Sequence, residues 1–132
     1  MELYTSVSYE LSERLTKRYS TSFSLSSRLF DRSIRRHIYA IYGLVRIADE
    51  IVDTYRGSDS LERLNNLEVE VARAMEAQYS ANPIVHAYAR TARQFAIDPS
   101  LLTAFFESMR MDIVRNCLLK SSTTSIFMAR QK

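Results

Sequence analysis

The chain has 132 residues, of which 46% are apolar and 25% are charged. This balance predicts one folded domain and excludes wholesale disorder. The formal net charge of +3 arises in residues 115–132, which carry four basic residues and no acidic one, so residues 1–114 hold 14 basic and 15 acidic side chains. A basic surface of the nucleic-acid-binding kind is therefore not predicted.

Glycine and proline occur only twice each, and no stretch alternates between apolar and polar residues, so the predicted fold class is all-α. The single cysteine, Cys117, excludes an internal disulfide and fits a reduced cytoplasmic compartment. The amino terminus lacks a signal-peptide pattern, and no run of 18 apolar residues predicts a transmembrane segment. Peripheral membrane contact and the oligomeric state stay open.

The first predicted helix covers about residues 4–19, with Tyr4, Val7, Leu11 and Leu15 as its apolar stripe. The Ser/Thr-rich residues 20–27 predict a helix end or an irregular connection.

A second helix is predicted from the N-cap Asp31 to about Tyr55, where residues 56–58 end it and Gly57 can take the position after the last turn. Its predicted apolar stripe is formed by Ile34, Ile38, Ile41, Val45, Ala48 and Val52.

Three further helices follow. Asp59 and Glu62 predict a capping-box start for residues 60–79, and Asn82-Pro83 and Asp98-Pro99 predict the starts of the last two. The apolar side of the last helix consists of Leu102, Phe105, Phe106, Met109 and Ile113. Helical periodicity fails from about Arg115, so the prediction is a domain over residues 1–114 and a divergent, disordered tail over residues 115–132.

The second helix carries the candidate site. In an α-helix Asp49 and Asp53 lie about 40° apart on one face, and Arg46 and Tyr42 extend that line toward the amino terminus. Two neighbouring carboxylates repel each other unless a cation lies between them, and Mg²⁺ is typically held by one or two carboxylates with water and phosphate oxygens. Arg46 and Tyr42 can donate to such a phosphate.

Spacing alone leaves an alternative open. A D-x-x-x-D pattern is common on helices, and Arg46 can equally form an ordinary ion pair with Asp49 or Glu50, which would stabilise the helix by a few tenths of a kcal/mol.

A longer pattern carries a resemblance. Ser20-Thr21-Ser22-Phe23-Ser24, the run from Tyr39 to Asp53, and Ser108-Met109-Arg110-Met111-Asp112 resemble the squalene/phytoene synthase family in order and spacing. Within that family, the sequence resembles bacterial phytoene synthases more than eukaryotic squalene synthases. The resemblance covers about Tyr4 to Asp112 and implies the amino-terminal helices of the isoprenoid synthase fold.

The resemblance also implies roles. Asp49 and Asp53 would hold Mg²⁺ against a diphosphate, with Arg46 and Tyr42 as further catalytic and diphosphate-binding companions. Ser20, Ser22 and Phe23 would bind substrate, although helix-end hydrogen bonding and core packing explain these three equally well. The implied partners are prenyl diphosphates, and the implied reaction is their Mg²⁺-dependent head-to-head condensation through a cyclopropylcarbinyl diphosphate.

The resemblance also implies that part of the family's site is missing from this sequence. The family's second aspartate-rich motif has no counterpart in the sequence, so a truncated form is expected. Residues 122–132, read one nucleotide earlier, permit codons for a family-like Tyr-Asp-Glu-Tyr-Ile-Tyr-Gly-Lys-Ala-Glu, which suggests a frameshift. Geranylgeranyl diphosphate as substrate and phytoene as product are favoured, in carotenoid biosynthesis. The alternatives are a squalene-type synthase using farnesyl diphosphate and a non-catalytic helical remnant.

Overall fold

The computed structural model describes residues 2–55 and 57–130, with side chains described as far as Leu119. All regular secondary structure in this part of the chain is helical, which confirms the predicted fold class. The helices are α1 Glu2–Tyr19, α2 Thr21–Ser27, α3 Arg32–Asp49, a π-helical segment Glu50–Tyr55, α4 Ser60–Ala77, α5 Pro83–Gln94 and α6 Pro99–Arg130.

The residues predicted as an irregular connection form the short helix α2. The Ser20 hydroxyl accepts a hydrogen bond from the backbone N–H of Phe23 at 3.1 Å, which caps the first turn. The buried Ser27 hydroxyl lies 2.8 Å from the hydroxyl of Tyr39 on α3. These serine hydroxyls satisfy backbone groups and tie α2 to α3, so a helix forms where the sequence predicts a helix end or an irregular connection.

The predicted buried face of α1 is wrong. Val7 and Leu11 are 38% and 41% exposed, whereas Ser8, Ser12 and Thr16 are fully buried. Each of these three hydroxyls donates to the carbonyl oxygen four residues earlier, at 2.8–3.1 Å, so burial leaves no unpaired donor.

Small side chains let α1 approach α3 and α5 closely. At Gly43 an added Cβ would lie 3.3 Å from the Cγ2 of Ile84 and 3.5 Å from the Cβ of Ser12. Small buried side chains thus take the place of the predicted apolar stripe, and they allow the helices to pack closely.

The buried face of α3 also differs from the prediction. Helix α3 turns His37, Ala40, Gly43 and Leu44 inward, while Ile34 and Ile41 are exposed and Ile38 and Val45 are half-buried. Only Ala48 and Val52 of the predicted stripe are buried. The open face of α3 therefore carries apolar side chains next to the candidate site residues.

The main core lies between α3, the π-helical segment, α4, α5 and α6. Its fully buried centre includes Leu64, Val71, Val85 and Phe106. The predicted apolar side of α6 is confirmed, because Leu102, Phe106 and Met109 are buried and Phe105 and Ile113 pack against them. Arg110 Nη1 contacts Glu68 Oε1 at 2.6 Å and fixes α6 against α4.

The helix starts agree with the sequence more closely than the helix ends. The side chain of Asn82 caps α5, and Asp98 accepts from the backbone N–H of Ser100 at 2.9 Å. The predicted capping box at Asp59 is wrong, since that carboxylate instead accepts from the Tyr55 hydroxyl at 2.7 Å and the Nε of Arg63 at 2.8 Å. Gly57 does not adopt a positive φ, and Arg56 lies outside the described residues.

Helix α6 continues past Arg115 to Arg130, where the sequence predicts irregular structure. The side chains from residue 120 onward and residues 131–132 lie outside the described residues, so the domain limit at residue 114 stays a prediction. In the part of the chain that the structure describes, no helix is long and apolar enough to cross a membrane.

Candidate functional site

The two candidate aspartates lie on either side of a change in helix type. Asp49 is the last residue of α3, and Asp53 lies inside the π-helical segment Glu50–Tyr55. At the junction the backbone N–H of Glu50 donates to the carbonyl oxygens of both Arg46 and Ile47. The angle of about 40° assumed for an uninterrupted α-helix does not apply beyond Asp49, because a π-turn holds more residues.

The carboxylate of Asp49 is in an unfavourable environment. Its pKa is raised first by burial, second by the negative charge of Asp53, and further by Asp112 on α6. The Arg46 guanidinium opposes this and lowers the pKa. Asp49 is half-buried, whereas Asp53 is exposed. The negative charge of Asp53 thus adds to burial in disfavouring the ionised form of Asp49.

Arg46 is held from two sides. Its Nη2 donates to Glu50 Oε2 at 2.9 Å and to Thr54 Oγ1 at 3.4 Å. Its Cζ lies 4.5 Å from the centroid of the Tyr19 ring, a cation–π distance. Its Nε is buried and has no hydrogen-bond partner among the described residues. A buried charged donor without a partner is costly, so this atom is suited to an anion.

Tyr42 lies on the same side of α3 and meets α2. Its ring stacks on Phe23, with centroids 4.6 Å apart and an interplanar angle of 27°. Two predicted substrate-binding residues are thus brought together. Ser20 uses its hydroxyl as the α2 cap, and Ser22 is exposed on the same helix.

Three neighbours of the site were not assigned to it from the sequence. Tyr19 covers Arg46, and Asp112 adds negative charge beside Asp49. The sequence indicates Glu50 only as an ordinary ion-pair partner of Arg46, and the structure forms that pair. Only one feature of the sequence points to Tyr19, namely that it directly precedes the Ser20 segment.

The donor set fits part of a magnesium site. No group of three or more His, Cys, Asp or Glu side chains within the described residues could hold a metal ion alone. Magnesium, however, needs only one or two carboxylates when substrate phosphates and water complete its shell. Asp49 and Asp53, mutually repelling and next to a guanidinium, are suited to holding Mg²⁺ together with a diphosphate.

Known proteins share the sequence pattern of this chain. Residues 16–122 match the sequence pattern of the squalene/phytoene synthase family. The chain is 33% identical over 110 residues to a phytoene synthase of Arthrospira platensis, covering 83% of the chain and 35% of that protein. It is 27% identical over 108 residues to a 4,4'-diapophytoene synthase of Staphylococcus haemolyticus (strain JCSC1435), covering 79% of the chain and 37% of that protein.

The chain thus spans about a third of the length of these two relatives. The match includes α2, α3 and the π-helical segment, which carry the candidate site. The chain belongs to the squalene/phytoene synthase family, whose members are head-to-head prenyltransferases.

Proposed function

We propose that this protein contributes the first magnesium–diphosphate site of a phytoene-type synthase, which condenses two prenyl diphosphates head to head. Geranylgeranyl diphosphate is the favoured substrate, since one relative is named a phytoene synthase. The second relative is named a 4,4'-diapophytoene synthase, and the alternative substrate is farnesyl diphosphate. The observation that carries the proposal is the repelling pair Asp49 and Asp53 beside Arg46, whose buried Nε has no partner among the described residues.

The assignment of roles follows from charge and position. Asp49 and Asp53 hold Mg²⁺, and Arg46 donates to the diphosphate. Tyr42 lies on the same face and can donate its hydroxyl to a phosphate oxygen, while Phe23 fixes its ring. When bound, magnesium would neutralise the diphosphate and make it a leaving group. The apolar side chains on the open face of α3, such as Ile38 and Val45, suit the prenyl chain.

These residues supply only one side of the site. The D-x-x-x-D pattern occurs once in the sequence, at Asp49 and Asp53. Two diphosphates need carboxylates from a second, facing side, so the complete reaction requires further residues of the kind that the longer relatives have room for.

The test is Mg²⁺-dependent binding of geranylgeranyl diphosphate, measured by calorimetry. Asp49→Asn should abolish the Mg²⁺-dependent part of the binding. Asp31→Asn is the matched control, since Asp31 is exposed and its side chain makes no capping hydrogen bond. Equal binding by both variants would refute the assignment of Asp49.

A second candidate function is a non-catalytic helical unit that binds a prenyl diphosphate without turnover. The exposed Val7, Leu11, Ile34 and Ile41 favour it, because these faces lack the apolar cover that a closed cavity needs. Incubating the chain with labelled geranylgeranyl diphosphate and Mg²⁺ separates the two functions. Formation of a hydrocarbon would exclude the second one, and binding without product would favour it.

A further inference from the structure

The change from α-helix to π-helix lies between the two aspartates of the candidate site. A π-turn is rare and is frequently found at functional sites. The segment Glu50–Tyr55 therefore needs support from side chains to keep its geometry. The direction of Asp53 relative to Asp49 depends on that geometry.

One side chain reaches across this junction. Arg46 belongs to the last turn of α3, and its Nη2 contacts Glu50 at the first position of the π-helical segment and Thr54 near its end. The contact with Glu50 is a short, charge-assisted hydrogen bond, whereas the contact with Thr54 is longer and more exposed. Both contacts use the same nitrogen, which leaves Nε with no protein partner among the described residues.

The geometry points to Glu50 and Thr54 as positioning residues, which hold Arg46 across the α3-to-π junction and so fix its guanidinium group beside Asp49 for a bound diphosphate. This inference rests on the proposed function for the identity of the anion. Glu50 and Thr54 act through Arg46 and are not themselves magnesium ligands in this arrangement. The Tyr19 ring, 4.5 Å from the guanidinium carbon, restricts Arg46 from another side.

A different role for Glu50 gives the opposite result. If Glu50 merely competed with the diphosphate for Arg46, removing its charge would strengthen diphosphate binding. If it positions Arg46, removing its charge weakens binding. The variant Thr54→Val tests the positioning of Arg46 alone, because it removes the hydroxyl without changing any charge.

The first measurement needs no ligand. The Nε–H signal of Arg46 in ¹⁵N-labelled wild-type protein should be sharp and slow to exchange, because the guanidinium is fixed. Glu50→Gln should move it toward the position of a free arginine, and Thr54→Val should move it in the same direction by less. Thr54→Ser keeps the hydroxyl and should leave it unchanged. Glu107→Gln is the control, as Glu107 is exposed on α6. An unchanged signal in Glu50→Gln would overturn the inference.

The second measurement is calorimetric binding of inorganic pyrophosphate with and without Mg²⁺. Glu50→Gln should weaken the Mg²⁺-dependent affinity on the order of fivefold, as expected for a partly exposed ion pair. Thr54→Val should weaken it less, and Thr54→Ser and Glu107→Gln should match wild type. Unchanged or stronger binding by Glu50→Gln would overturn the inference. Absence of Mg²⁺-dependent binding by wild type, with the Arg46 signal behaving as expected, would refute the proposed function instead and leave Glu50 as a support of the π-helical segment alone.

Discussion

The ring of Phe23 in α2 stacks on the ring of Tyr42 in α3, with centroids 4.6 Å apart. This contact joins the short serine-rich helix to α3, which ends at Asp49 and continues into the π-helical segment that carries Asp53. It explains how two segments separated by the turn at residues 28–31 contribute to one site. Both rings of the stack are half-buried.

Phe23→Ala should reduce the free energy of unfolding by about 1–2 kcal/mol, because it removes a half-buried ring and its aromatic partner contact. Phe23→Leu should cost about 0.5–1.5 kcal/mol, since it keeps most of the apolar area and loses the stack. Urea unfolding measures both values. Leu25→Ala on the same helix is the control, because Leu25 is 54% exposed and should change stability by less than about 0.5 kcal/mol. Similar losses at both positions would contradict the importance of the stack.

Asp49→Asn should stabilise the metal-free protein slightly near pH 7, by less than about 1 kcal/mol. Burial and the charge of Asp53 raise the pKa of Asp49, so its ionised form is disfavoured in the folded state. For an acid with a raised pKa, the folding penalty is complete above the folded pKa and disappears as the pH falls below the unfolded value. The gain over wild type should therefore vanish toward pH 3.

Magnesium with pyrophosphate should reverse this order, because the ligand stabilises only a protein that binds it. Thermal unfolding of wild type and Asp49→Asn, with and without Mg²⁺ and pyrophosphate, checks both statements. A variant that is less stable than wild type in the metal-free state would show that Asp49 has a structural role.

His86 should make the protein sensitive to acid. It is fully buried, and its Nδ1 accepts a hydrogen bond from the backbone N–H of Ser80 at 3.2 Å, which requires the neutral ring. Its Nε2 lies 3.0 Å from the Thr5 hydroxyl on α1. Burial lowers the pKa of His86 first, and the positive charges of Arg90 and the amino terminus lower it further.

A histidine with a lowered pKa contributes stability that is complete above its unfolded pKa of about 6.5 and is lost as the pH falls through the folded pKa. The free energy of unfolding should thus fall below pH 6.5, by at most about 1.4 kcal/mol per pH unit for one proton. His86→Gln should be less stable at pH 7.5 but have a shallower pH dependence. An equal slope in wild type and variant would show that other groups, such as the buried His37, cause the acid loss.

The starts of α5 and α6 were predictable because local chemistry fixes them. Asn82 and Asp98 stand before prolines and accept from backbone N–H groups of the first turn, and this information is contained in neighbouring residues. The family pattern likewise indicated Asp49 and Asp53 as candidates, and their role stays a prediction. The buried face of α1 could not be predicted from apolar periodicity, because serine and threonine hydroxyls that bond to their own helix can be buried where helices approach closely.

The geometry of the site was harder to predict from the sequence than these helix starts. Nothing in residues 46–55 distinguishes a π-turn from an α-turn, since both accept the same side chains. The proximity of Asp112 to Asp49 depends on how α6 packs on α4, which the Arg110–Glu68 contact helps to fix over 42 positions of sequence. Such long-range placement is a product of the assembled core.

Ala96→Gly should stabilise the protein by about 0.5–1 kcal/mol. Ala96 follows the end of α5 with a φ of 50°, a left-handed conformation that is strained for any residue with a Cβ. The backbone N–H of Ile97 donates to Ala92 at 2.9 Å and that of Ala96 to Arg93 at 3.3 Å, the hydrogen-bond pair of a Schellman cap, in which glycine is preferred. Relief of the strain outweighs the extra freedom that glycine gives the unfolded chain. Ala72→Gly, at an exposed helical position in α4, is the control and should destabilise by about 0.5–1 kcal/mol. Urea unfolding compares the two, and a loss of stability in both variants would mean that the left-handed residue is not strained.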